Sequence, residues 1–266
     1  MSAVSSLKSN LRVVKASMGL TLKQNMIDAF IIFTILIQPL IVAILGIWML
    51  QGKGPEYAIF VVVGSGMSGL WSSLLYISGN SINVERWFGT LETLTGVPTS
   101  LQVITLGKNL AHVIQSLFSM LGCYILASFI FGYPLSIQMP LLFFVSLVFT
   151  VIAFVAFGLI ISPLFILNPM IQRWQNGLEF PVFIISGFLF PIAMLPIWTR
   201  PISWIFPTYW AAKALHITAE AQGTLTEVIT CWGILLFSAA VYGFLSHWFF
   251  KTMVRKAKVD ATLDAH

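Results

Sequence analysis

The sequence predicts an all-α polytopic membrane protein with six transmembrane helices, and three observations carry that expectation. Of 266 residues, 58% are hydrophobic and 9% charged, with a mean hydropathy of +0.92; in a soluble domain roughly a quarter of residues are charged. Several uncharged apolar runs exceed the ~20 residues that an α-helix needs to cross ~30 Å of hydrocarbon. The short alternating segments of an outer-membrane barrel do not occur.

Residues 1–27 form the first unit. Leu7, Leu11, Val14, Met18 and Leu22 recur every three or four residues, while Lys8, Arg12, Lys15 and Lys23 fall largely elsewhere on the wheel. This is a cationic amphipathic helix. A membrane-surface anchor accounts for it, and a polar face turned to a cytosolic partner is compatible with the same position.

Residues 28–250 hold the spans, near Asp28 to Leu50, Tyr57 to Ile82, Asn109 to Phe131, Met139 to Leu167, Gly177 to Trp198 and Val228 to Phe250. The first begins too far along the chain, and runs too long, for a cleaved signal peptide. In the second, Gly64, Gly66 and Gly69 spell a dinucleotide-binding pattern by letter, but no strand precedes it and no acidic partner follows at the expected distance. Ser65, Gly69 and Ser73 instead repeat every four residues, which lets membrane helices approach closely, with a contact to a second copy as an extension. The fourth span is 29 residues long and carries Ser162-Pro163 near its end, so a tilt or kink is expected.

Between spans two and three, Glu85 to Ser100 is a polar island. Gly and Pro bracket Leu91, Glu92, Thr93 and Leu94, which predicts a brief helix with structured ends. The fifth span opens a segment containing Pro181, Pro191, Pro196, Pro201 and Pro207 with Trp198, Trp204, Tyr209 and Trp210. Short helices dipping back into the outer leaflet fit this better than one helix and a soluble loop, because broken backbone at membrane depth must be satisfied by protein or a water-lined cavity. Residues 251–266 form a basic tail.

Orientation follows from Lys and Arg. With both termini cytosolic, Lys8, Arg12, Lys15, Lys23, Arg86, Lys108, Arg173, Lys251, Arg255, Lys256 and Lys258 lie inside, 11 of the 14 basic residues; Lys53, Arg200 and Lys213 lie outside. The 83–102 turn is then cytosolic. The net charge of +5 is explained by basic residues beside the headgroups, not by nucleic acid. Cys123 and Cys231 both fall within spans and suggest no disulfide.

No Walker A sequence, paired Cys-x-x-Cys or His-Glu-x-x-His occurs, so neither an ATP site nor a zinc site is assigned. His112, Gln115 and Gln38 read as packing or kink residues. Asp28, Lys108 and Glu179 are the charges nearest the membrane, and the expectation is that all three lie at its boundaries. Ion-coupled transporters use ionisable groups within the membrane; coupling of sodium through backbone carbonyls stays open.

Glu85-Arg86, Gly89-Thr90-Leu91-Glu92 and Pro98-Thr99-Ser100 resemble, in order, the cytosolic motif of ABC-2 type permeases, the membrane subunits of ATP-binding-cassette exporters. A second block is similar to the family's re-entrant outer region: Phe190, Pro191, Leu195, Pro196 and Trp198, then Pro207, Tyr209, Ala214 and Leu215. The resemblance implies that 83–102 is a coupling helix seated in an ATPase subunit, with Glu85, Arg86, Gly89, Thr90, Leu91, Glu92, Leu94, Pro98 and Ser100 as its contact and shape residues. It implies that Lys8, Arg12 and Lys15 lie on an interface helix, and that 190–215 closes the outer end of a path between two permease subunits. The partners implied are two cassette ATPases carrying ATP and Mg, a second permease copy or related permease, and lipid, in a bacterial-type cytoplasmic membrane. The chain itself would be non-catalytic. The alternatives are an ATP-independent facilitator or secondary transporter, or a membrane scaffold or assembly factor. The cargo stays open among drugs, lipids, peptides and lipid-linked or free saccharides.

Overall fold

A computed structural model describes residues 3–49, 55–190 and 192–259. Lys53 and Pro191 lie outside the described residues, as does the tail from residue 260, and the side chains of Glu92 and Lys258 are likewise not described. Every regular element among the described residues is helical. In chain order these are α1 (Ala3–Asn25), α2 (Ala29–Met49), α3 (Tyr57–Trp87), α4 (Leu91–Gly96), α5 (Leu101–Ile130), α6 (Pro140–Leu167), α7 (Pro169–Arg173), α8 (Gln175–Ile185), α9 (Arg200–Ile205), α10 (Pro207–Glu220) and α11 (Leu225–Val259).

Five helices, α2, α3, α5, α6 and α11, are long and apolar enough to cross a membrane. The fifth apolar run of the sequence is built differently. Its helix α8 ends at Ile185, and Gly187 turns the chain with a φ of 72°. Short 3-10 turns, α9 and α10 follow. The hydroxyls of Ser186 and Thr208 meet at 2.5 Å, so the chain leaves the end of α8, makes an excursion over 189–206, and returns to the same level at the start of α10. The far end of α10 meets the loop before α6, where Gln138 and Met139 donate backbone N–H groups to Ala219 and Thr218.

The bundle is organised around α3, whose most apolar stretch is 94% buried. Small side chains make this possible, because each removes the bulk that would keep a neighbour away. A Cβ on Gly64 would overlap the Phe188 carbonyl; one on Gly66 would meet Met120 of α5, and one on Gly69 would stand 2.5 Å from Pro39 of α2. Ser73 of α3 receives a 2.9 Å hydrogen bond from Ser116 of α5. The small-residue stripe is therefore used up within the chain, and the extension to a contact between copies is corrected. The main apolar cluster surrounds it, with Met67, Leu70, Leu74, Phe154, Phe183, Phe188 and Leu215 buried.

α6 stays helical through Pro163, with the preceding Ser162 donating 2.5 Å to the Ser78 carbonyl of α3. α11 packs along α6, and α1 runs along the N-terminal half of α5. Ser17 donates to the Ile104 carbonyl at 2.8 Å and Asn25 donates to Gln115 at 2.6 Å. Thr21 and Asn25 are buried there, whereas Leu7 and Leu11, the first members of the expected apolar stripe, are exposed. α1 is thus tied to the bundle over its second half.

Candidate functional site

The turn between α3 and α5 is a compact knob. α3 ends at Trp87, Gly89 takes a φ of 67°, and α4 begins at Leu91. Left-handed backbone favours a residue without Cβ, which accounts for glycine at this position. Leu91 is buried in a second apolar cluster with Ile82, Leu101, Ile104, Leu159, Phe250 and Met253, and Leu94 packs against it. The brief helix is therefore anchored to the ends of α3, α5, α6 and α11 that meet on its side of the bundle.

Polar contacts fix the same knob. Glu85 forms an ion pair with Lys108 of α5 and accepts a hydrogen bond from Thr90, whose N–H also caps the Glu85 carbonyl at 2.9 Å. Lys108 further reaches the Ser81 carbonyl at 3.5 Å. On the outward side Trp87, Phe88, Val97 and Pro98 are exposed, and Ser100 is exposed at the start of α5. Arg86 is half-buried at the end of α3. Lys8, Arg12 and Lys15 are exposed along α1. The sequence brought the turn's own residues together but missed Lys108, which reads only as a boundary charge until the two helices are placed side by side.

At the opposite end of the bundle from this knob, Trp198 and Pro196 are exposed, Phe190, Leu195 and Tyr209 are half-buried, and Pro207 is buried. Tyr209 joins Tyr57, Phe60, Lys213, His216 and Glu220 around a cavity of about 590 Å³. Phe60 stacks on the His216 ring at 3.8 Å. Lys213 pairs with Glu227 of α11 at 3.3 Å. Among the described residues no three metal-ligating side chains converge.

The largest departure from the sequence reading is Glu179. Its side chain is buried, at 4% exposure, and accepts hydrogen bonds from Gln38 and Ser72 on one oxygen, at 2.8 and 2.6 Å, and from Tyr76 on the other, at 2.8 Å. Gln38 lies midway along α2 and Ser72 midway along α3. Gln38 is ten residues beyond Asp28, about 15 Å of helix rise, half the thickness of the hydrocarbon layer. The expectation that Glu179 sits at a membrane boundary is corrected. α8 begins beside Asn80, whose side chain donates to Gln175 at 3.1 Å, so α8 starts about two turns before the C-terminal end of α3 at Trp87. Ser72, Tyr76, Asn80 and Asn83 form a polar stripe on α3 at helical spacing, a signal present in the sequence that counting charges passes over.

The sequence model of the ABC-2 type transporter family matches residues 13–219. The chain belongs to the ABC-2 type transporter family. It is 28% identical over 137 residues to the probable multidrug ABC transporter permease YbhR of Escherichia coli (strain K12), covering 50% of this chain and 36% of that protein. It is 27% identical over 156 residues to the probable multidrug ABC transporter permease YbhS of the same strain, covering 58% of this chain and 40% of that one. The aligned part thus spans well under half of those relatives. The family and the apolar helices together make this a multi-pass membrane protein.

Proposed function

We propose that the chain is the permease subunit of an ABC-2 exporter, moving an amphipathic substrate outward with ATP hydrolysed on separate cassette ATPase subunits. Two such subunits would pair with two permeases, this chain with a second copy or a related one, in a cytoplasmic membrane with both termini inside. The observation that carries the reading is the knob at α4. Leu91 and the Glu85–Lys108 pair anchor it inward, while Trp87, Phe88 and Val97 are left exposed on its outward side. A rigid projection with an apolar outer face suits transmission of an ATPase's movement to several helices together, as a rigid-body shift. The outer cavity and the broken segment above α8 supply the place where a path would open.

Purification of the tagged chain in mild detergent tests the pairing, with a cassette ATPase expected to co-purify. Glu92→Lys is expected to weaken that association or to uncouple ATP hydrolysis from transport in proteoliposomes. An unchanged complex with unchanged transport would remove the role assigned to α4. Glu179, a carboxylate at mid-depth, favours a second reading, transport coupled to an ion. Transport retained without any ATPase or ATP would establish it over the first.

A further inference from the structure

We propose that Glu179 is the charge-selecting group of the transport path and that it favours organic cations with an apolar body. The inference rests on the permease reading and names the substrate class for it.

The carboxylate is held by neutral groups alone. Gln38, Ser72 and Tyr76 satisfy its oxygens, and none of the ion pairs among the described residues includes Glu179. None of these donors brings a positive charge to balance a carboxylate. An uncompensated charge at this depth is costly, and a cation brought beside it offsets that cost in a medium of low dielectric. A helix tie alone would not need the charge, since a neutral amide at position 179 could meet the same three partners.

The surroundings suit an aromatic or apolar cation. Ser72 is buried, whereas Gln38 and Tyr76 are only half-buried and so offer the carboxylate's partners to the surface. Phe30 lies edge-on to Tyr76 with centroids 6.4 Å apart, and Phe30, Phe33 and Phe180 are exposed nearby on α2 and α8. Aromatic faces attract cations and reject anions. A ligand reaching Glu179 would cross these rings and exchange with the Gln38 amide or the Tyr76 hydroxyl.

Both partner helices depart from α-geometry at this level. α2 widens to an i→i+5 turn over Phe33–Ile37, closed by the Gln38 N–H on the Phe33 carbonyl. α3 does the same over Ser73–Ser78, starting beside Ser72 and containing Tyr76. Such turns are rare and occur frequently at functional sites. Here they shift the register so that three donors from two helices converge on one carboxylate.

The test uses two probes of matched shape and opposite charge, tetraphenylphosphonium and tetraphenylborate, binding to the purified full chain. The cation is expected to bind and the anion to bind at least about tenfold more weakly. Glu179→Gln should abolish that preference and Glu179→Asp should keep it. Absence of phosphonium binding, equal binding of both probes, or an unchanged preference in Glu179→Gln would overturn the proposal. Should Glu179→Gln not fold, carbodiimide labelling of Glu179 in the unaltered chain, mapped by mass spectrometry, decides the matter. Slowing by phosphonium but not by borate supports the proposal, and labelling indifferent to phosphonium overturns it. Co-purification of the ATPase reads the permease assignment separately, so the two can fail independently.

Discussion

Gly64 and Gly233 carry opposite expectations from the same substitution. A methyl at Gly64 runs into the Phe188 carbonyl, backbone that moves only with the whole turn after α8, while a methyl at Gly233 meets nothing within 4 Å. Overpacking in a tight interior costs about 1–3 kcal/mol. Replacing a helical glycine in open surroundings gains about 0.5–1 kcal/mol from backbone entropy. Gly64→Ala should therefore lower the midpoint of thermal unfolding in detergent and Gly233→Ala should leave it unchanged or raise it. A shift of the same sign in both would show that the approach of Phe188 to α3 does not limit stability.

At the scale of elements, α4 is fixed by the ends of α3 and α5. Glu85 and Lys108 are 23 residues apart and largely buried, with side-chain exposures of 19% and 14%. Glu85→Lys or Lys108→Glu leaves two like charges facing each other and should reduce ATP-driven transport several-fold. The double exchange should recover most of it, because the pair is restored with its sign reversed. Recovery failing in the double variant, with the chain still folded, would mean that Glu85 acts on a partner and not through Lys108. Much of this element was legible beforehand: Gly89, Leu91 and Pro98 mark its bounds locally, and local signals are what a sequence displays. Lys108 and the docking of α1 through Thr21 and Asn25 were not, since each depends on which helices become neighbours. Glu179 was hidden for a related reason. Its position along the chain suggests an edge, and its depth is set by how far α3 extends below the start of α8.

Across the whole molecule, the question is whether α8 and α10 together make a sixth crossing beside the five helices of sufficient length among the described residues. α8 has 11 residues, about 16 Å of rise, and α10 has 14, about 21 Å; neither spans ~30 Å of hydrocarbon alone. Placed end to end, with Ser186 and Thr208 in contact at the join, the two lengths together would exceed it. The lower piece starts at the level of Asn80 and the upper piece ends beside Gln138. Broken backbone at membrane depth must be satisfied by protein, and here the join packs on Gly64 through the Phe188 carbonyl, with Phe188 buried. This architecture predicts that positions 174 and 222, which flank the broken segment and are both exposed, face opposite sides of the membrane. Cys123 and Cys231 are buried, so the unaltered chain should give little background with a membrane-impermeant maleimide. Gln222→Cys should react in intact cells, and Trp174→Cys only after the membrane is opened. Reaction of both from one side would show that the two half-helices form an excursion instead of a crossing, and would place α11 and the basic tail on the opposite face from α1.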